Sequence, residues 1–123
     1  MKFNPQLKHD IEKYRDYVIL VEGKKDVASM KSCGFERVYA IHKTSVSLRE
    51  NVEHIAEQIN RKDKVCILTD LNKKGKKLYM IVKQILQEQG KHLNSSFRGI
   101  LIKARISHIE GIYSFFSKLE NVG

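Results

Sequence analysis

Glu22 is the first polar residue after the apolar run YVILV (17–21), and Asp70 closes a second such run, KVCILTD (64–70). Asp26 follows Glu22 by four residues, and Asn72 follows Asp70 by two. Acidic groups at the ends of apolar strands can converge on one point. Mg²⁺, or Mn²⁺ in its place, prefers oxygen and is commonly held by one or two carboxylates, water and a substrate phosphate. Glu22 and Asp70 are therefore the candidate catalytic residues. Glu22, Asp26, Asp70 and Asn72 are the candidate metal ligands. Structural readings compete with these. Glu22 can be a solvated strand end, Asp26 can favour a helix start, and Asn72 can be an N-cap, an outer ligand or both.

Basic residues crowd the same places. Lys24 follows Glu22-Gly23, and Lys73, Lys74, Lys76 and Lys77 open the segment after Asn72. Cations at a helix N-terminus oppose its dipole at a cost of a few tenths of a kcal/mol each. An anion docked there offsets that cost, since helix N-termini are natural phosphate sites. The competing reading is a solvated lysine face. Further along, Lys103 and Arg105 are candidate phosphate contacts. His108 is either a phosphate donor and acid–base group or the cap of the last helix.

Alternating elements are needed to bring these residues together. YVILV (17–21), RVYAI (37–41), KVCILTD (64–70) and GILIK (99–103) read as four strands. Continuous apolar runs of this kind suit strands covered on both faces. The intervening segments carry helical periodicity. One helix runs from Lys24 to a stop at Gly34. A second starts at the capping box Ser47 to Glu50. A third spans 74–89, with Leu78, Ile81, Val82, Ile85 and Leu86 inward and Gly90 as its end. A last one holds Ile109, Ile112, Tyr113 and Phe116. A short helix after Pro5 leads the chain. The order is that of an α/β, three-layer α/β/α, Rossmann-like fold with a four-stranded parallel sheet. Ligands of such sheets gather outside the carboxyl ends of the strands.

Composition sets the class of partner. The 123 residues carry 23 Lys and Arg against 14 Asp and Glu, a formal charge of +9, which favours a polyanion such as nucleic acid. The longest wholly apolar run is five residues, far short of the roughly 20 that span a bilayer. The N-terminus lacks the apolar stretch of a signal peptide. A cytoplasmic protein with no membrane partner is expected. Cys33 and Cys66 lack a CxxC spacing and suit neither a zinc site nor a disulfide; Cys66 is expected to be a buried small hydrophobe.

Val-Glu22-Gly23-Lys-Lys-Asp26, followed after two α/β units by Leu-Thr-Asp70-Leu-Asn72-Lys-Lys-Gly75, resembles the Toprim domain of topoisomerases, bacterial primases, the 5S rRNA maturation ribonuclease and OLD-family nucleases. The small stand-alone Toprim proteins of archaea and bacteria are the most similar, and their last segment often reads like Arg105-x-x-His108-Ile-Glu110-Gly111. The resemblance implies a Toprim domain at 17–119 behind an N-terminal helical extension at 1–16, with the first and third strands side by side. It also implies a Glu22 that acts as general acid, general base or metal ligand, and an Asp70 that binds Mg²⁺. The family's second DxD aspartate falls on Asn72, so one negative charge is missing.

Three functions are compatible with these residues. The first is Mg²⁺-dependent phosphoryl transfer on nucleic acid, nuclease-like, with RNA ahead of DNA. The second is a non-catalytic nucleic-acid-binding or assembly module with a degenerate metal site. The third is a receiver-like phospho-acceptor domain, which lacks the acidic pair expected after the first strand. A homodimer or a larger nucleic-acid-processing complex is a natural setting for a domain of this size.

Overall fold

The computed structural model describes residues 5–122. Its elements, in chain order, are α1 (Pro5–Glu12), β1 (Val18–Val21), α2 (Lys24–Ser32), β2 (Val38–Ala40), α3 (Leu48–Glu57), β3 (Val65–Ile67), α4 (Lys73–Glu88), α5 (Ser96–Lys103) and α6 (Ile109–Val122). Residues 1–4 of the expected N-terminal extension lie outside the described residues.

The three strands run parallel in the order β2-β1-β3, so β1 is central and lies beside β3. Strand periodicity sorts the core. Ile19, Val21, Cys66 and Leu68 face one layer, with Met30 of α2, Phe97 and Leu101 of α5, and Ile109, Ile112 and Phe116 of α6. Leu7 and Ile11 of α1 join that layer. Val18, Leu20, Val65 and Ile67 face the other, with Val52 and Ile55 of α3 and Leu78, Val82, Ile85 and Leu86 of α4. All four residues of β1 are buried. Each such side chain contributes roughly 1.5–3 kcal/mol by leaving water. The result is a three-layer α/β/α arrangement. Among the described residues no helix is long and apolar enough to cross a membrane.

The expected fourth strand is a correction. Residues 99–103 form the second half of α5. Phe97, Arg98 and Leu101 are buried while Ile102 is exposed, which is helical spacing hidden inside an apolar run. The edge of β3 instead receives a minimal parallel bridge. The Val65 amide donates to the His92 carbonyl at 3.2 Å, and the Asn94 amide donates to the Val65 carbonyl at 2.8 Å. From there α5 runs along β3 toward its carboxyl end, because Arg98 reaches the carbonyls of Thr69 and Asp70. Helix thus replaces strand without changing where residues 104–108 arrive. A second correction concerns α4: Ile81, expected inward, is exposed.

Helices α2, α4 and α5 end in the same way. The second residue after each C-cap donates back across the last turn: Phe35 to Met30, Lys91 to Leu86 and Ile106 to Leu101, at 2.9–3.2 Å. This motif needs a left-handed residue just before. Gly34 and Gly90 supply it for α2 and α4, as their sequence positions suggest, and Arg105 supplies it for α5. Cys33 and Cys66 are both buried, and burial pushes the Cys66 thiol up to about 12.

Arg37, just before β2, grips Asp63, just before β3, with two hydrogen bonds of 2.8 Å. The guanidinium holds the Asp63 carboxyl down from 3.8 to about 2. A depressed carboxyl stabilises the fold above its unfolded value and ceases to do so as pH falls through its folded value. Wild-type melting temperature should therefore drop more steeply between pH 4 and pH 2 than that of Asp63→Asn; parallel curves would show that the pair does not stabilise the fold. The helical assignment of 99–103 makes a separate prediction. Nothing lies within 4 Å of a Cβ built on Gly99. Gly99→Ala should raise stability by about 0.5–1 kcal/mol in chemical denaturation, as for an open mid-helix position; a loss would favour an extended segment.

Candidate functional site

The carboxyl ends of β1 and β3 open side by side, and the chain places acids on both. One Glu22 carboxylate oxygen, Oε2, accepts the Asp70 amide at 2.8 Å. The Glu22 carbonyl accepts the His42 amide at 3.2 Å on the other side. Glu22 thus spans the sheet end from β2 to β3. Gly23 follows and is the N-cap of α2. Asp26, in the first turn, accepts the Gly23 amide through Oδ2 at 3.2 Å. This is half of a capping box, the glycine having no side chain to return the bond. Burial, reinforced by the charges of Asp70 and Glu22, holds the Asp26 carboxyl above its ordinary value, with the Gly23 bond and His108 opposing. Three carboxylates therefore share one neighbourhood.

The loop after β3 is held from three sides. Asn72 is the N-cap of α4, and its Oδ1 accepts the Gly75 amide at 2.7 Å. The Thr69 hydroxyl donates to the Gly75 carbonyl at 2.6 Å. A Cβ on Gly75 would lie 1.9 Å from the Asp70 carbonyl oxygen. Only glycine lets the first turn of α4 press against the Asp70 backbone, and an alanine there would cost about 1–3 kcal/mol in forced displacement. From behind, buried Arg98 donates Nη1 to the Thr69 carbonyl at 2.6 Å and Nη2 to the Asp70 carbonyl at 3.3 Å. The guanidinium also lies 4.5 Å from the Tyr79 ring centroid. Burial pulls its pKa down, and Tyr79, Asp70 and Glu22 pull it back; a guanidinium stays charged regardless.

His108 completes the cluster. Its Nδ1 stands 3.3 Å from Asp70 Oδ2. The segment before it is pinned to the Asp70 loop, because the Leu71 amide donates to the Ser107 carbonyl at 3.0 Å. Ile106 and Ile109 are buried on either side. Arg105, His108, Glu110 and Ser114 line an open hollow of about 360 Å³.

Sequence-predicted residues divide accordingly. Glu22, Asp26, Asp70, Asn72 and His108 converge on the carboxyl edge of the sheet. Lys24 is exposed at the start of α2, and Lys73, Lys74, Lys76 and Lys77 are exposed in the first turns of α4. Lys73, Lys76 and Lys77 share one outer face of α4 with Met80 and Ile81. Lys103 is exposed in the last turn of α5, and Arg105 lies just beyond. Arg98 and Thr69 were not anticipated. The one available signal was an arginine at the head of an apolar segment, which is unusual unless its charge is partnered inside. Among the described residues no three His, Cys, Asp or Glu side chains are placed to hold a metal ion unaided.

The Toprim domain profile matches residues 17–103, which takes in β1 through α5 and every element that frames Glu22 and Asp70. The chain belongs to the Toprim family. Small archaeal proteins are similar to it. A UPF0292 protein of Methanocaldococcus jannaschii is 31% identical over 106 residues, covering 81% of this chain and 78% of that one. A UPF0292 protein of Pyrococcus horikoshii is 32% identical over 114 residues, covering 89% and 83%. A solved structure of a protein from Aquifex aeolicus superposes with a TM-score of 0.70 at 27% identity, covering 89% of this chain and 98% of that one. The parallel order that sets β1 beside β3 is thus the Toprim arrangement, with three strands here in place of the expected four.

Arg105 sits at φ 59° in a position that glycine fills in α2 and α4. A left-handed side-chain-bearing residue costs roughly 1–2 kcal/mol. Arg105→Gly should therefore raise stability by about 1 kcal/mol in urea denaturation and weaken binding to a labelled oligonucleotide. Unchanged binding would make Arg105 a residue of the helix end alone.

Proposed function

We propose that this Toprim chain is a divalent-metal-dependent phosphoryl-transfer domain acting on nucleic acid, cleaving phosphodiester bonds, with RNA favoured over DNA. Membership of the family supports metal-dependent, nucleic-acid-related activity; cleavage and the choice of RNA belong to this reading. The observation that carries it is the meeting of Glu22, Asp26 and Asp70 at the carboxyl edge of the sheet, where the first turns of α2 and α4 begin.

The donor set fits a hard cation. All three carboxylates offer oxygen, and their mutual repulsion, felt at Asp26, is what a bound cation relieves. Asp70 and Glu22 would hold the ion, with Asp26 near enough to add charge. Bound Mg²⁺ or Mn²⁺ supplies Lewis-acid polarisation of a phosphoryl oxygen. Glu22 is placed to hold or move a proton at its carboxyl oxygens. Arg98 fixes the Asp70 backbone and balances the acids from behind. Lys24, Lys73, Lys74, Lys76, Lys77, Lys103 and Arg105 are proposed to neutralise phosphates and to position the strand without reading its sequence.

A second reading has its own observation. Asn72 spends Oδ1 on the Gly75 amide and carries no charge, so the site is short of one ligand. That favours a binding or assembly module without catalysis. Incubation of labelled single- and double-stranded RNA and DNA with Mg²⁺ or Mn²⁺ separates the two. The catalytic reading expects metal-dependent cleavage that falls at least ~100-fold in Glu22→Gln and in Asp70→Asn. Asn72→Asp retains the cap, adds a charge that the helix dipole favours, and should tighten metal binding on the order of tenfold. Steeply salt-dependent binding with no cleavage, indifferent to both carboxylate variants, would overturn the catalytic reading in favour of the module.

A further inference from the structure

We infer that His108 fills the ligand position that Asn72 leaves vacant, so that His108 Nδ1 and Asp70 Oδ2 bind one divalent cation together and select Mn²⁺ or a similar transition ion over Mg²⁺. This rests on the metal reading above and says which ion and which residue.

The first support is the removal of the alternative. Asn72 holds the Gly75 amide at 2.7 Å, and turning its oxygen to an ion would uncap α4. Loss of an N-cap costs about 1 kcal/mol. The second support is spacing. Nδ1 and Oδ2 lie 3.3 Å apart. Two ligands each about 2.1 Å from one ion, at the angles of octahedral or tetrahedral coordination, stand roughly 3.0–3.4 Å apart. The pair is therefore spaced as neighbouring ligands of one ion. The third support is anchoring. His108 follows Ser107, whose carbonyl is tied to the Leu71 amide, and it lies between the buried Ile106 and Ile109. Its backbone is thereby tied to the Asp70 loop. His108 itself is exposed, so the ion can arrive from solvent with its water.

The chemistry of the donors sets the preference. Imidazole nitrogen suits transition ions, whereas Mg²⁺ is served by carboxylate, carbonyl and water. The positions that the protein does not fill would go to water and to a phosphate oxygen, as in many sites that act on phosphates. Arg105 lines the same hollow as His108 and would meet that phosphate.

The test is Mn²⁺ titration followed by electron paramagnetic resonance, with electron spin-echo modulation to detect ¹⁴N on the bound ion. Wild type should bind Mn²⁺ at a site lost in Asp70→Asn and should show ¹⁴N modulation from directly bound imidazole. His108→Ala should lose the modulation and weaken Mn²⁺ binding by about 10–100-fold, while competition shows Mg²⁺ affinity changed less than about twofold. Circular dichroism checks that the variant is folded. Mn²⁺ bound through Asp70 with no nitrogen modulation would overturn the role of His108 and leave the metal reading standing. Absence of any Asp70-dependent Mn²⁺ binding would overturn both.

Discussion

The bond from the Asp70 amide to Glu22 Oε2 is the joint on which the site depends. The ladder between β1 and β3 ends where the Leu68 amide meets the Leu20 carbonyl at 2.8 Å. Beyond that point the two strands would separate, and a partly buried amide would lose its partner. A carboxylate acceptor is worth more than a neutral one, about 1.5–3 kcal/mol. Glu22 therefore carries the pairing one step past the sheet and fixes the distance between the first acid and the second. Asn72, Gly75, Thr69 and Arg98 all act on the segment so placed. Each would hold a loop in some position without Glu22, but not in register with the end of β1.

Much of what surrounds that joint works against stability. Four lysines begin α4, where the helix dipole is already positive. Asp26 is partly buried beside two other acids. Arg105 occupies a backbone region that glycine would fill at lower cost. These features lie along one edge of the molecule, whereas the opposite ends of the helices carry ordinary glycine terminations at Gly34 and Gly90. Conflicts of this kind cluster where a ligand resolves them. An anion relieves the lysines and a cation relieves the carboxylates, and a phosphate-bound divalent ion does both at once.

The layers of the fold were legible because their signals are local. Strand alternation placed Val18 and Leu20 on one face and Ile19 and Val21 on the other, and the helix stops were single glycines. The acids were legible because a carboxylate that ends an apolar run sits at a strand end. The fourth strand misled because GILIK has strand composition, and its helical burial shows only when Phe97 and Arg98 are counted with Leu101. Ile81 misled because periodicity cannot tell a core stripe from an apolar face left open beside lysines. Arg98 was illegible for a different reason. Its shortest bond and its only bond to Asp70 go to main-chain carbonyls, 29 and 28 residues away, and no side-chain pattern marks a carbonyl.

Asn72 and His108 are best understood together. Capping alone does not choose asparagine, since aspartate caps as well and gains from the helix dipole. A carboxylate at 72 would instead be a fourth acid in a space where Asp26 already resists ionising. Arg98 is the only buried cation among the described residues, and its hydrogen bonds go to the Thr69 and Asp70 carbonyls and the Thr69 hydroxyl rather than to the carboxylates. A neutral cap keeps the loop and spares the charge. His108 stands beside Asp70, its Nδ1 3.3 Å from Oδ2, with its chain tied there by the Leu71–Ser107 bond. A nitrogen donor adds a partner to Asp70 without adding negative charge. On the reading proposed above, the asparagine at 72 and the histidine at 108 act together, the first capping the loop without charge and the second giving Asp70 a nitrogen neighbour.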